Sequence, residues 1–172
     1  RVGIGGGSIC STRIVTGHGV PTLQSVLDCS ISRHDVKIIA DGGIKTTGDI
    51  VKAIAAGADF VILGSMLAGT AEAPGTVFTN GAGKSYKAYR GMASREAQEA
   101  WRGTASSLEG VATTIPYKGS VKPILEDIHQ NIRSGFSYSG ARNAQELRDN
   151  GRFILQTSGS QRESGTHILN VR

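Results

Sequence analysis

Val36-Lys37-Ile38-Ile39-Ala40 running into Asp41-Gly42-Gly43, and Phe60-Val61-Ile62-Leu63 running into Gly64-Ser65, are the two stretches whose reading decides the fold. Each is a short apolar run, rich in β-branched residues, that breaks at once into glycine, as a buried parallel strand feeding a tight loop does. Between them Ile50, Ala53 and Ile54 recur at helical spacing, with Asp49 placed to cap that helix and Gly57 to end it. The unit is strand, helix, strand. Working outward, Arg1-Val2-Gly3-Ile4-Gly5 reads as the last residues of an earlier strand, because no turn or cap precedes it. A loop over 5–19 follows, then a helix opened by Pro21, with Leu23, Val26 and Leu27 on its inner face and its end near Asp28 to Ser32. Repeated βαβ at this spacing builds a parallel sheet or a (β/α)8 barrel, with functional residues after the strand C-termini.

Beyond Pro74-Gly75 the rhythm changes. Val77 to Tyr89 predicts a hairpin turning at Asn80-Gly81-Ala82-Gly83, and 91–110, polar and mostly aperiodic, reads as a mobile flap. Val121, Ile124, Leu125, Ile128 and Ile132 set one side of a helix over Ser120 to Arg133. A short helix at Ala144 to Arg148, a strand from Arg152 to Thr157 and a Ser/Gly-rich tail over 158–172 follow. A complete barrel takes about 250 residues in eight units. The 172 residues here hold three strands of that pattern, the first cut short, so a portion of a barrel is expected.

Composition narrows the function. The apolar share of 38% and 24 glycines suit an α/β protein with many tight loops. The net charge of +5 comes from scattered Lys and Arg, with acidic residues among them, which suits a small phosphorylated ligand better than nucleic acid. No apolar run approaches the roughly 20 residues of a membrane helix, and no basic-then-apolar leader precedes Gly3, so the expected place is the cytoplasm, away from membranes. Cys10 and Cys29 form neither a disulfide framework nor a spaced metal motif, and both are expected as reduced thiols. On its helix, Cys29 reads as a small buried core residue.

The segment richest in chemistry is Gly3-Ile4-Gly5-Gly6-Gly7-Ser8-Ile9-Cys10-Ser11-Thr12-Arg13. Its glycines let backbone amides approach an anion, or carbonyls a cation, and Ser8 adds a hydroxyl. It lacks the Lys of a P-loop and the spacing of a dinucleotide fingerprint. A thiol in such a loop can be exposed, and Thr12 and Arg13 place a hydroxyl and a positive charge close by, which favours the thiolate of a nucleophile. A buried Cys packing the loop is the alternative. Asp41-Gly42-Gly43 and Gly64-Ser65 project from neighbouring strands toward the same rim. With Ser8 they can surround one phosphate, leaving Asp41 to accept hydrogen bonds from ribose hydroxyls; a plain turn-forming Asp is the other reading of Asp41.

These residues carry a family resemblance. Gly-Gly-Gly-Ser-Ile-Cys-Ser-Thr-Arg at 5–13, Ala-Asp-Gly-Gly-Ile at 40–44, Leu-Gly-Ser-Met-Leu-Ala-Gly-Thr at 63–70 and Tyr-Arg-Gly-Met-Ala-Ser at 89–94 resemble the IMP dehydrogenase/GMP reductase family. Glu109-Gly110, Tyr117-Lys118-Gly119 and Arg162-Glu163-Ser164 continue the likeness over nearly the whole chain. The resemblance implies an α/β chain forming the C-terminal portion of a (β/α)8 TIM barrel, a single partial catalytic domain over 1–172 with a flap at about 91–110 and a tail at about 158–172. It also implies that Cys10 attacks C2 of a purine nucleotide, with Thr12 and Glu109 as the proton-transfer pair. Ser8, Gly43, Gly64, Ser65 and Tyr89 would hold the phosphate, Asp41 the ribose, and Met92, Ala93 and Ser94 would border the base, with Gly42 and Gly91 also among the substrate-binding residues. A monovalent cation, K+ by the same likeness, would bind carbonyls of Gly5, Gly7 and Cys10, completed by Glu163, Ser164 and Gly165 from a neighbouring subunit of a homotetramer. Two positions depart from the family pattern: Gly5-Gly6-Gly7 stands where Gly-Pro-Gly is usual, and Gly165 where bacterial dehydrogenases often have His.

Both activities of the family share the thiol adduct, so the flap has to separate them. Dehydrogenases resembling this chain carry a longer insertion with an Arg-Tyr pair that activates water. Between Met92 and Glu109 there is no Arg-Tyr pair, and Trp101-Arg102 reads as flap surface. Loss of ammonia through Thr12 and Glu109 needs no such device. The implied reaction is therefore reduction of GMP by NADPH to IMP and ammonia. Ser106-Ser107-Leu108 does not reproduce the Arg and Ser that reductases of the human type place before the glutamate. An NAD-dependent dehydrogenase with a shortened flap and a non-catalytic nucleotide-binding fragment remain the alternatives.

Overall fold

In the computed structural model, residues 1–106 and 109–166 are described. Strand β1 (Ile39–Asp41) lies parallel to β2 (Phe60–Ile62), with Ile39, Ala40 and Asp41 opposite Phe60, Val61 and Ile62. On the other edge of β1, Val2 forms a single parallel bridge to Ala40. The opening residues thus occupy a strand position, through Val2 N–H to Ile39 O and Asp41 N–H to Val2 O, each 2.8 Å. Both named strands are shorter than the apolar runs that announce them. At the start of β1 the reason is local: Ile38 donates its amide to the Asp59 carboxylate at 2.9 Å rather than to a neighbouring strand.

Helices α2 (Thr22–Ile31) and α3 (Thr47–Ala55) bury Val26 and Ala53 against Ile38, Ala40, Ala56 and Ala58. The N-cap of α3 is Thr46, not Asp49. Asp49 sits at the third helical position, where it accepts the Thr46 amide at 2.9 Å and returns its own amide to Thr46 Oγ1 at 3.2 Å, a reciprocal capping box. Gly57, at φ +114°, turns the chain out of the helix. A second cluster of Ile44, Ile50 and Ile128 joins α3 to α5 (Lys122–Tyr138). The two helices approach closely at Gly135, where a Cβ would lie 2.7 Å from a methyl of Val51. Leu125, expected on the inner stripe, is exposed. Short α6 (Ala144–Asn150) inserts the buried Leu147 beside α3.

Several expectations need correction. The run from Phe60 is not buried on both faces: Phe60 is 59% exposed, because among the described residues this sheet holds two strands and one bridge and leaves a face uncovered. Cys29 is exposed on the outer side of α2. The loop over 5–19 contains a five-residue helix, α1 (Thr12–Thr16), ended by Gly17 in the left-handed region. Arg152 to Thr157 forms no strand; Ile154 and Leu155 stand in solvent with no strand beside them, and α7 (Ser158–Glu163) follows.

The hairpin does form, as β3 (Val77–Thr79) and β4 (Ser85–Arg90), its turn held by Asn80 Oδ1 accepting the Ala82 and Lys84 amides at 3.0 Å. A third strand, β5 (Ala112–Pro116), pairs antiparallel with β4 and was not expected. The flap is more ordered than its composition implies, since Ser94 accepts the Ala97 amide at 3.3 Å and starts α4 (Arg95–Arg102). Among the described residues no helix is long and apolar enough to cross a membrane.

Asp59 is a tertiary hub. Its side chain is 10% exposed and meets Arg33 at 2.9 Å, Arg148 at 3.2 Å and Lys37 at 3.5 Å besides the Ile38 amide. Burial pushes the Asp59 carboxyl up, but the Ile38 amide and the surrounding cations outweigh it and hold its pKa below the ordinary value of 3.8. A carboxylate whose pKa is lowered by folding stabilises the fold above its unfolded pKa and loses that contribution as pH falls through the folded one. Asp59→Asn should therefore lower stability by about 1–3 kcal/mol near neutral pH. In thermal melts the gap to wild type should narrow as pH is taken below about 4. A gap that stays constant down to about pH 2 would remove the ionised carboxylate from this role.

Candidate active site

The loops that follow Val2, β1 and β2 come together at one end of the parallel strands. Gly42, at φ +94°, packs so tightly on the cysteine loop that a Cβ there would sit 3.0 Å from Gly6 Cα, so the second loop can pass only as glycine. Gly43 lies beside it, facing Gly6 O. Ser8 Oγ lies 3.3 Å from the Tyr89 hydroxyl. That hydroxyl is in turn 3.5 Å from where a Gly64 side chain would begin. Ser8, Gly43, Gly64 and Tyr89, expected to share a ligand, are thus drawn from three loops and one antiparallel strand into one neighbourhood. Ser65 follows in a helical turn in which Gly64 O accepts the amides of Leu67 at 3.1 Å and Ala68 at 2.9 Å.

The thiol centre is built by pairing the cysteine loop with the chain that returns from the flap. Cys10 bridges Gly110 antiparallel, Ser11 N–H donates to Glu109 O at 3.0 Å, and Val111 N–H donates to Ile9 O at 3.0 Å. This zipper carries Glu109 to the start of α1. There the Thr12 hydroxyl donates to Glu109 Oε2 at 2.8 Å, and Cys10 Sγ lies 3.2 Å from Thr12 Oγ1 and 3.7 Å from Glu109 O. With the hydroxyl proton directed at the carboxylate, a Thr12 lone pair is left to accept the thiol proton. Sulfur, hydroxyl and carboxylate thus lie in hydrogen-bond sequence.

Cys10 is half-buried and lines a cavity of about 440 Å³ with Gly5, Gly7, Asp41 and Gly42. Asp41 ends β1 and reaches the same cavity, where its Oδ2 accepts Arg1 Nε at 2.6 Å. Arg1 is a neighbour that sequence reasoning did not include. Of the carbonyls expected around a cation, Gly7 O accepts the Cys10 amide at 3.1 Å.

The remaining expected residues are placed as follows. Gly91 donates to Val111 O at 3.1 Å, which seats the 91–94 turn against β5. Met92 is exposed and borders, with Ala93 and Glu109, a second cavity of about 350 Å³. Ser94 is fully buried with its hydroxyl engaged as the α4 cap. Glu163 ends α7, the Ser164 hydroxyl donates to Ser160 O and accepts from Gln156, and Gly165 donates to Arg162 O. Ser107, Leu108 and residues 167–172 of the tail lie outside the described residues.

Gln98 was missed. It is buried in α4, donates to Ala93 O at 3.0 Å and accepts the Ser106 amide at 3.1 Å, tying the 91–94 turn to the segment that leads to Glu109. No signal in the sequence marked it, because 91–110 reads as an aperiodic flap.

A thiol, a hydroxyl and a carboxylate in line, beside glycine loops at the ends of parallel strands, mark an α/β protein with a candidate nucleophile. Comparison with known proteins gives the family. The family model for the IMP dehydrogenase / GMP reductase domain matches residues 1–167, and the chain belongs to that family. It is 46% identical over 98% of its length to GMP reductase of Leishmania major, and 44% identical over 97% to inosine-5'-monophosphate dehydrogenase of Nitrosopumilus maritimus. It spans 37% and 38% of those two relatives. Among solved structures it resembles a cysteine-to-alanine variant of GMP reductase from Trypanosoma brucei in complex with guanosine 5'-monophosphate, with TM-score 0.89 and 47% identity over 96% of this chain and 35% of that one. The α/β fold is accordingly that of part of a TIM-barrel enzyme.

Proposed function

We propose that this chain carries the nucleotide-binding and thiol half of an oxidoreductase that converts GMP to IMP and ammonia with NADPH. The observation that supports it most is the Cys10, Thr12, Glu109 alignment beside the gathered loops. In this reading residues 1–172 are one partial catalytic domain, with the flap at 91–110 and the tail at 158–172. Ser8, Gly43, Gly64, Ser65 and Tyr89 hold the phosphate, Asp41 turns from Arg1 to the ribose, Gly42 and Gly91 line the nucleotide site, and Met92 and Ala93 edge the base, with Ser94 buried behind them as the α4 cap. Cys10 passes its proton through Thr12 to Glu109, and its sulfur adds to C2 of the purine. The same path returns the proton to the 2-amino nitrogen. The C2–N bond then breaks and ammonia leaves carrying the thiol's former proton, and a second proton, drawn from solvent at the end of the turnover, restores the thiol. When bound, NADPH supplies the hydride that reaches C2 as the C–S bond breaks, and Cys10 departs as thiolate.

Carbonyls of Gly5, Gly7 and Cys10 would hold K+, with Glu163, Ser164 and Gly165 of a second copy completing its shell in a homotetramer. The absence of an Arg-Tyr pair between Met92 and Glu109 favours ammonia over water as the partner of the adduct. Trp101, 70% exposed with the Arg102 guanidinium stacked 4.7 Å above its ring, is occupied as flap surface. Dehydrogenases are equally close by identity, so the assay carries both arms. GMP-dependent oxidation of NADPH by the full chain, with ammonia released in equal amount, is the expected result. IMP-dependent reduction of NAD instead would assign the dehydrogenase, and neither reaction would leave a nucleotide-binding protein.

A further inference from the structure

Two lysines that take no part in the proton path converge on the turn that follows Gly64. Lys87, on β4, is 2% exposed, and its ammonium donates to the carbonyls of Thr70 at 2.9 Å, Ala71 at 3.4 Å and Ala73. Lys118, just after β5, donates to Ser65 O at 2.9 Å and Met66 O at 3.1 Å. Further pairing holds the same segment: Lys118 N–H donates to Gly69 O at 2.8 Å, and Ala71 N–H to Gly119 O at 2.7 Å. Glu72 lies between, accepting the Val121 amide at 2.8 Å and the Ser120 hydroxyl at 3.1 Å. Five carbonyls between Ser65 and Ala73 are therefore committed to two ammonium groups.

A planar trans peptide points its N–H opposite its C=O, so fixing the carbonyl aims the amide of the next residue. Lys118 on Ser65 O sets the Met66 amide. Gly64 O, taken by the Leu67 and Ala68 amides, sets the Ser65 amide. Their directions are thus decided before any ligand arrives, with positive charge behind the turn. A lysine near a phosphate loop ordinarily reaches the anion as a point charge. Here both ammonium groups are already bound to backbone oxygens.

We infer that Lys118, with Lys87 behind it, is a positioning residue that presets the Gly64-Ser65 turn for a nucleoside monophosphate without touching the phosphate. The inference rests on the proposed nucleotide site.

Its test compares GMP with guanosine as calorimetric probes on the full chain, for wild type, Lys118→Met and Lys118→Arg. Lys118 is chosen because it is exposed, whereas loss of the buried Lys87 endangers the fold. The Met variant should weaken GMP about tenfold, since two charge-assisted hydrogen bonds are lost behind the turn, while guanosine stays within about twofold. Lys118→Arg, which can reach two carbonyls, should recover most of the GMP affinity. Equal weakening of both ligands, or a lowered melting temperature with an unchanged GMP-to-guanosine ratio, would reduce Lys118 to a structural residue and overturn the inference. A wild-type protein that binds GMP no better than guanosine would remove the phosphate site itself, and the inference with it.

Discussion

Cys10→Ala should abolish GMP-dependent NADPH oxidation, a loss of at least about a thousandfold, while the protein still binds GMP. In the proposed mechanism the sulfur forms the bond to C2, and the hydroxyl 3.2 Å away cannot replace it, because its proton is already committed to Glu109. Binding should survive because the residues that gather around Ser8, Tyr89 and Gly64 do not depend on the thiol. Steady-state turnover and calorimetry on the same preparation measure both halves of the expectation. Full activity in the Ala variant would end the covalent mechanism.

Glu109→Gln should slow ammonia release by about 10²–10⁴-fold. The amide keeps an oxygen facing the Thr12 hydroxyl at the observed 2.8 Å, so geometry is retained, but it cannot take or return a proton. Hydride transfer from the adduct needs no proton from this group and should slow far less. Rapid-quench measurement of ammonia from GMP reads the first step, and single-turnover reduction of NADP+ by IMP, which reaches the same adduct from the other side without passing through ammonia loss, reads the second. An unchanged ammonia rate would take Glu109 out of the proton path.

Much of the fold was legible in local pattern. The apolar runs before Asp41-Gly42-Gly43 and Gly64-Ser65, the stripe through Ile50, Ala53 and Ile54 and the Asn80-Gly81 turn all read as they fold, because periodicity and glycine act over a few residues. The errors share a different origin. Helix α4 has so polar a composition that only its Ser94 cap announces it, and β5 exists because β4 supplies a neighbour. Arg152 to Thr157 has strand-like residues and no such neighbour, so it stays irregular. Strand formation is decided by pairing more than by propensity.

By itself the sequence determined the βαβ grammar and the glycine loops after the strands, and singled out Cys10 as the candidate nucleophile, since each is written in contiguous residues. Only the tertiary structure decided that Glu109 meets Thr12 across 97 positions and Tyr89 meets Ser8 across 81. It also decided that Asp59 and Lys87 are buried among partners rather than solvated. Contacts at such separation depend on chain closure and packing, which no local propensity encodes; a charged residue can be buried only where distant chain supplies its hydrogen bonds.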